Sequence, residues 1–168
     1  MKEVKHFKGK EAVEKLKRLI QDSNVCMLCT NLNEAPVSTC PMATQQVNEN
    51  GEIWFVSDKN SDHNRDIKAD GRVQLIYANP SKATYASIYG TAEVLEDAKK
   101  AADLWSVEIK PWFEDGKKSG NLSAIRVLPK EGFYWDSREA NLSSSLSMFF
   151  TVADENAGMH RMRGKLQP

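Results

Sequence analysis

Two short segments hold residues whose types and spacing could do chemistry. The first, Ser61-Asp62-His63-Asn64-Arg65-Asp66-Ile67, follows a polar break and reads as the opening of a helix capped by Ser61. A helix start offers backbone N–H groups without acceptors at the positive end of the helix dipole, so it suits an anion. Ser61 adds a hydroxyl there, and His63 and Arg65 add donors or charge. The same residues would equally make an ordinary capped surface helix, with His63 in a structural hydrogen bond, and spacing alone leaves both readings open. The second segment, Thr39-Cys40-Pro41-Met42, puts a proline inside a strand. Proline cannot donate to a ladder, so this point is an edge, a bulge or a place where a ligand approaches.

Other candidates are weaker. Cys26-Met27-Leu28-Cys29 is a CxxC, but a redox pair needs its first cysteine at a helix N-terminus. Here the run is apolar and strand-like, which sends the two thiols to opposite faces. A zinc site would need further ligands, and His6, His63 and His160 show no paired spacing. Two core cysteines are expected. Trp105 falls at helical spacing with Ala98, Ala101 and Ala102 and reads as core, whereas Trp112, after Pro111 and before an acidic turn, is a candidate for an exposed or ligand-facing ring. No nucleophile elbow, Walker loop, GxGxxG or HExxH is present.

The elements that must position these residues follow from periodicity. Val13, Leu16, Leu19 and Ile20 make an amphipathic helix of Gly9 to Asp22. Strands are expected over Asn24 to Thr30, Val37 to Gln46 and Ile53 to Val56, with turns at Asn31 to Pro36 and at Asn50-Gly51. After the Ser61 helix, closed by Asp70-Gly71, Arg72 to Asn79 and Thr84 to Val94 alternate as long strands. Gly90 marks a bend or close backbone approach in the second of them. Asp97 caps a further helix, Pro111-Trp112-Phe113 opens a short helical piece, and Leu122 to Pro129 and Gly132 to Asp136 finish the sheet. Leu142 to Val152 is a weak helix signal. Short connections between neighbouring strands give a mainly antiparallel sheet, and the long strands favour closure into a barrel. Strands and helices do not alternate one for one, which excludes a doubly wound parallel sheet.

Composition narrows the function classes. With 168 residues, 23 Lys plus Arg and 23 Asp plus Glu, the chain fits one domain of zero formal charge, so neither an electrostatic nucleic-acid binder nor disorder is expected. The short basic run His160, Arg161, Arg163, Lys165 reads as a solvated tail. Met1 to His6 lacks the apolar run of a signal peptide, and no stretch approaches the roughly 20 apolar residues of a membrane span. Three cysteines without scaffold spacing point to a reducing cytoplasm.

Several segments together resemble one family. Ile53-Trp54-Phe55-Val56-Ser57, Ser61 to Ile67, Val73-Gln74-Leu75-Ile76-Tyr77, Tyr85 to Gly90, Leu104-Trp105, Lys110-Pro111-Trp112-Phe113 with Gly116, and Tyr134-Trp135-Asp136 are similar, in order and spacing, to the pyridoxamine 5′-phosphate oxidase-like split-barrel flavoproteins, and among them to the bacterial general stress protein branch. The resemblance covers roughly residues 10 to 137, leaving 138 to 168 as a C-terminal extension of a single domain.

It implies a mainly β (α+β) fold, an antiparallel six-stranded split β-barrel with flanking helices, and a homodimer binding FMN in a groove between subunits. By position, Cys40, Pro41 and Met42 would pass the flavin. Phe55, Val56 and Ser57 would lie beside the isoalloxazine and phosphate, and Ser61, His63 and Asn64 would form the phosphate side. Ser87 and Trp112 would come from the facing side. Many relatives carry arginine at the position of Cys40 and lysine at that of His63. Both departures remove positive charge from a phosphate site, and Arg65 and Arg72 are the nearby cations in sequence.

The implied activity is a flavin-dependent oxidoreductase using NAD(P)H or a small molecule. The alternatives are a non-enzymatic flavin-binding stress protein or a haem-binding relative, with His63 or His160 as ligand.

Overall fold

The computed structural model describes residues 6–113, 116–118, 120–140 and 163–168. Nine strands and three main helices follow in order. They are β1 (Phe7–Lys8), α1 (Gly9–Asp22), β2 (Val25–Thr30), β3 (Ser38–Ala43), β4 (Gln46–Val47), β5 (Ile53–Asp58), α2 (Asp62–Ala69), β6 (Arg72–Asn79), β7 (Thr84–Leu95), α3 (Ala98–Asp103), β8 (Leu122–Asp136) and β9 (Arg163–Gln167). A 3₁₀ segment, Val107–Trp112, follows α3. The expected helix at Leu142 to Val152 lies outside the described residues, as does His160.

Six strands run side by side as β3-β2-β6-β7-β8-β5, each neighbouring pair antiparallel, and they form the split barrel. The expectation of six antiparallel strands describes this path but not the whole sheet. β4 adds to β5, β9 adds to the C-terminal half of β8, and β1 pairs with β9 in parallel, so the full nine-stranded sheet is mixed. A parallel pair needs a long connection, and here the two ends of the chain supply it with the rest of the fold between them.

The expected strand Val37 to Gln46 is broken, and the break closes the barrel. The Thr44 N–H donates to the Asn24 carbonyl at 2.7 Å, while the Gln45 N–H donates to the Trp54 carbonyl at 2.8 Å. The chain thus leaves β2 at Thr44 and reaches β5 one residue later. Conversely, the two strands expected at Leu122 to Pro129 and Gly132 to Asp136 are one. Pro129 pairs with Gly90 and Glu131 with Tyr89, so Lys130 is an extra residue that bends β8 instead of ending it. β7 follows this bend at Gly90, where a Cβ would lie 2.4 Å from the Leu128 carbonyl oxygen. The bend or close approach expected there is found.

The main core fills the barrel and the face of α1. It includes Leu16, Leu28, Phe55, Leu75, Ile88 and Leu166, the last from the C-terminal strand. A second cluster lies outside β5, where Trp54 and Val56 pack against Ala101, Leu104 and Ile109. β5 is therefore buried on both faces, which is why Ile53-Trp54-Phe55-Val56 is a continuous apolar run rather than an alternating one. Cys26 and Cys29 are both buried free thiols, and burial pushes Cys26 up to about 12, far from a reactive thiolate. One charge pair is also interior: Lys15 Nζ donates to Asp136 Oδ2 at 2.8 Å and sits 4.6 Å from the Tyr134 ring centroid.

Candidate functional site

The β5–α2 corner gathers four of the residues singled out in the sequence. Ser61 has extended backbone dihedrals and caps α2, its Oγ accepting from the Asn64 N–H at 3.3 Å. The loop before it is held by Asp58, whose carboxylate accepts from the Asn60 N–H at 2.7 Å and whose carbonyl accepts from the Ser61 N–H at 3.0 Å. This turn swings the chain from the end of β5 into the helix, so that Ser57, Ser61 and His63 meet. Ser57 Oγ lies 2.6 Å from His63 Nε2, Ser61 Oγ lies 3.1 Å from the same nitrogen, and the two hydroxyl oxygens are 3.3 Å apart. Helix geometry leaves the Asp62 and His63 backbone N–H groups without intrahelical acceptors beside these hydroxyls.

Asn64 belongs to the same corner but plays a different part. It is fully buried, and its Nδ2 donates to the Asp58 carbonyl at 3.0 Å and to Ser123 Oγ at 2.8 Å. Ser123 Oγ donates in turn to the Ser57 carbonyl at 3.3 Å. A carbonyl only accepts, so the amide nitrogen must face Asp58, and Oδ1 is left buried without a partner among the described residues. Asn64 and Ser123 therefore rivet the corner to β8. From the far side, Thr30 Oγ1 on β2 donates to Asp66 Oδ2 at 2.7 Å and fixes the helix against the barrel.

Charge at the corner is unlike its hydrogen-bonding capacity. Burial lowers the His63 pKa below its ordinary value, while Asp66, Asp62 and Asp58 oppose that effect without reversing it. The ring is accordingly neutral for the most part at pH 7. The cations that sequence proximity suggested are engaged elsewhere. Arg65 pairs with Asp62, and Arg72 Nε donates to both Asp70 oxygens at 2.9 and 3.1 Å. Lys68 pairs with Glu96, and Lys59 Nζ donates to the Gly120 carbonyl at 3.1 Å. The corner thus offers two hydroxyls, an imidazole and free backbone N–H groups, with no uncommitted fixed cation among these neighbours.

The remaining sequence candidates fall into three places. β3 lies against both β5 and α2, so the Cys40-Pro41-Met42 strand borders the corner. Met42 is buried in the main core, Cys40 packs partly against it with its thiol pushed up by burial, and Pro41 is exposed on the opposite face. Phe55 and Val56 are buried on opposite faces of β5. Ser87 sits on the outer face of the barrel, where its Oγ accepts from Gln74 Nε2 at 2.7 Å within a groove of about 400 Å³ lined also by Tyr89, Glu131, Gly132 and Phe133. Trp112 is 69% exposed on the 3₁₀ segment, while Trp105 packs on Phe113 with ring centroids 5.4 Å apart. Beside the groove the outer face is apolar and open: Met27 pairs with Ile76, and both are exposed with Val25.

Sequence reasoning missed Ser123, Asp58 and, Ser87 apart, the lining of the outer groove. A serine inside the apolar run Leu122-Ser123-Ala124-Ile125 was the available signal, since a buried hydroxyl needs a partner. No comparable signal marks the groove, whose residues come from three strands distant in sequence.

A family model described as pyridoxamine 5′-phosphate oxidase like matches residues 11–157. No curated protein matches the sequence. Among solved structures, the general stress FMN/FAD binding protein of Xanthomonas citri is 25% identical, with a TM-score of 0.64 over 80% of this chain and 92% of that one. General stress protein 26 of Bacillus anthracis is 21% identical, with a TM-score of 0.61 over 73% of this chain and 92% of that one. A pyridoxamine 5′-phosphate oxidase-related, FMN binding protein of Nostoc punctiforme is 12% identical, with a TM-score of 0.59 over 74% and 84%.

Proposed function

The chain belongs to the pyridoxamine 5′-phosphate oxidase-like family, and from that premise we propose that it is a flavoprotein whose β5–α2 corner holds the phosphate of FMN. The observation that carries this reading is the convergence of Ser57, Ser61 and His63 on the start of α2. The donor set fits a phosphate ester: the Ser61 hydroxyl and the Asp62 and His63 backbone N–H groups can donate to its oxygens, beside Ser57 and the His63 imidazole. Two related structures are described as flavin-binding, which supports FMN or a larger flavin nucleotide over an unrelated anion.

In this reading β3 from Cys40 to Met42 and β5 from Phe55 to Val56 form the wall along the isoalloxazine, and Asn64 holds the phosphate loop in position rather than touching the phosphate. Ser87 and Trp112 would come from a second copy of the chain. The open apolar strip of Val25, Met27 and Ile76 supports such a homodimer, because a monomer would leave it in water. When bound, a flavin supplies reversible hydride and electron transfer, and the chain contributes binding, orientation and exclusion of water. We propose an oxidoreductase on this basis, with a nicotinamide or a small molecule as electron donor. His63 already engages both serines, which supports flavin over haem at this site. Three free cysteines fit a cytoplasmic location. No described helix is long and apolar enough to cross a membrane.

An absorption spectrum of the purified protein reconstituted with FMN tests the proposal. Bands near ~450 nm that co-elute with the protein, and bleach anaerobically on adding NADPH, are expected for a flavin oxidoreductase. Co-elution without bleaching by reduced nicotinamides would leave a flavin carrier. A protein that retains no flavin, or a Soret band in its place, would refute the reading.

A further inference from the structure

We infer that His63 makes capture of the flavin phosphate a proton-linked event, in which the complex carries one more proton than the free partners, held at the His63 imidazole. The inference rests on the FMN reading above and concerns how the same corner is regulated.

Hydrogen-bond direction supplies the first argument. A neutral ring carries one hydrogen: placed on Nδ1 it leaves Nε2 to accept from a serine, and placed on Nε2 it donates to the serines and leaves Nδ1 a bare acceptor. A cationic ring carries hydrogens on both nitrogens, and Nε2 then donates to the serine oxygens. Ser61 then keeps its hydroxyl hydrogen for a ligand oxygen, Ser57 has the Asp58 carbonyl at 3.3 Å as an alternative acceptor, and Nδ1 keeps its own hydrogen. Protonation is the state in which neither ring nitrogen takes a hydrogen from the corner and neither meets a ligand oxygen as a bare acceptor.

Charge supplies the second argument. A phosphate monoester has its second pKa near about 6, so it arrives as a dianion at neutral pH. The groups packed around His63 offer it little fixed compensation. On α2 itself, Asp62 pairs with Arg65 and Lys68 with Glu96, while Asp66 accepts from Thr30. The preceding loop brings Asp58, capped by the Asn60 N–H, and Lys59, bonded to the Gly120 carbonyl. β2 and β3 bring Cys29 and Cys40, both kept neutral by burial. At the start of β6 Arg72 is chelated by Asp70, and on β7 Glu93 is paired with Arg126. Three carboxylates (Asp58, Asp62 and Asp66) act on His63, and the imidazole is the group that can become the missing cation. A dianion within hydrogen-bond reach favours the protonated ring by one to three pKa units.

The test is isothermal titration of the flavin-free full chain with FMN at pH 7, in buffers of different ionisation enthalpy, repeated at pH 8. Net uptake of roughly half a proton or more is expected, and Kd should weaken about twofold or more between pH 7 and pH 8. Riboflavin, which lacks the phosphate, should show neither effect. His63→Lys supplies a fixed cation and should bind FMN with an affinity that no longer changes over this range; His63→Gln should bind more weakly and equally flatly. Tight FMN binding with no proton uptake by the unmodified protein would overturn the inference and leave the flavin reading intact. Persistence of the pH slope in His63→Gln would also overturn it, since the proton would then sit elsewhere. Failure of the unmodified chain to bind either flavin at any pH would refute the flavin reading itself. Should His63→Lys fail to fold, the proton count on the unmodified protein still decides.

Discussion

Replacing Asn64 with alanine tests whether the corner is built by the amide that rivets it to β8. Alanine removes the two hydrogen bonds from Nδ2, at 3.0 and 2.8 Å, each worth about 1 kcal/mol net. It also leaves the Asp58 carbonyl without this donor, although that oxygen keeps the Ser61 N–H, so the added cost is at the low end of the range of about 1–3 kcal/mol for an unmet buried group. In the other direction, alanine eliminates the partnerless Oδ1, recovering about 1 kcal/mol. The net expectation is a loss of about 2 kcal/mol, a substantial share of the roughly 5–15 kcal/mol that holds a domain of this kind together. Urea unfolding followed by tryptophan fluorescence reads this as a lower midpoint at unchanged slope. A double-mutant cycle with Ser123→Ala should return a coupling of at least about 0.5 kcal/mol, because the two side chains share a bond. On the proposed flavin reading, FMN affinity should fall more than tenfold, since the Ser57–Ser61–His63 cluster loses its support. An Asn64→Ala protein within about 0.5 kcal/mol of the unmodified one, or strict additivity with Ser123→Ala, would refute the reasoning.

Three further outcomes are expected. Gly90→Ala forces a Cβ against backbone atoms, the Leu128 carbonyl oxygen at 2.4 Å, so the variant should lose several kcal/mol of stability or fail to fold, measured by the same unfolding curve. Burial raises the Asp136 pKa, but hydrogen bonds from Arg138 and Lys15 outweigh it and leave the carboxyl at about 2, below its ordinary 3.8. A lowered folded pKa stabilises above the ordinary value and is lost as pH falls, so unfolding midpoints should drop between pH 4 and pH 2, and Asp136→Asn should flatten that part of the profile. Trp112→Ala, at a 69% exposed ring, should change the stability by less than about 0.5 kcal/mol while weakening FMN binding in the proposed homodimer. Equal flavin affinity would remove Trp112 from the site.

Local patterns determined much of this protein. Helical spacing placed α1, alternation placed β6 and β7, and Ser61 marked the start of α2 because an N-cap is a short-range device legible in a few residues. The CxxC read as core thiols for an equally local reason, the two-residue period of a strand. What only the tertiary structure decided depends on groups distant in the chain. Thr44 and Gln45 look like the closing residues of one strand, yet their N–H groups bond the carbonyls of Asn24 and Trp54 respectively. Lys130 reads as a turn until the bend of β7 at Gly90 makes it a bulge. β9 and its fully buried Leu166 needed the sheet to be in place before they could join it. At the site, the sequence put Ser61 and His63 together but could not show that Ser57 completes their cluster, that Asn64 faces Ser123, or that Arg65 and Arg72 are spent on Asp62 and Asp70. Spacing along one helix fixes which groups are near. Which of them keep a free hydrogen or a free charge is settled only after every neighbour has taken its partner.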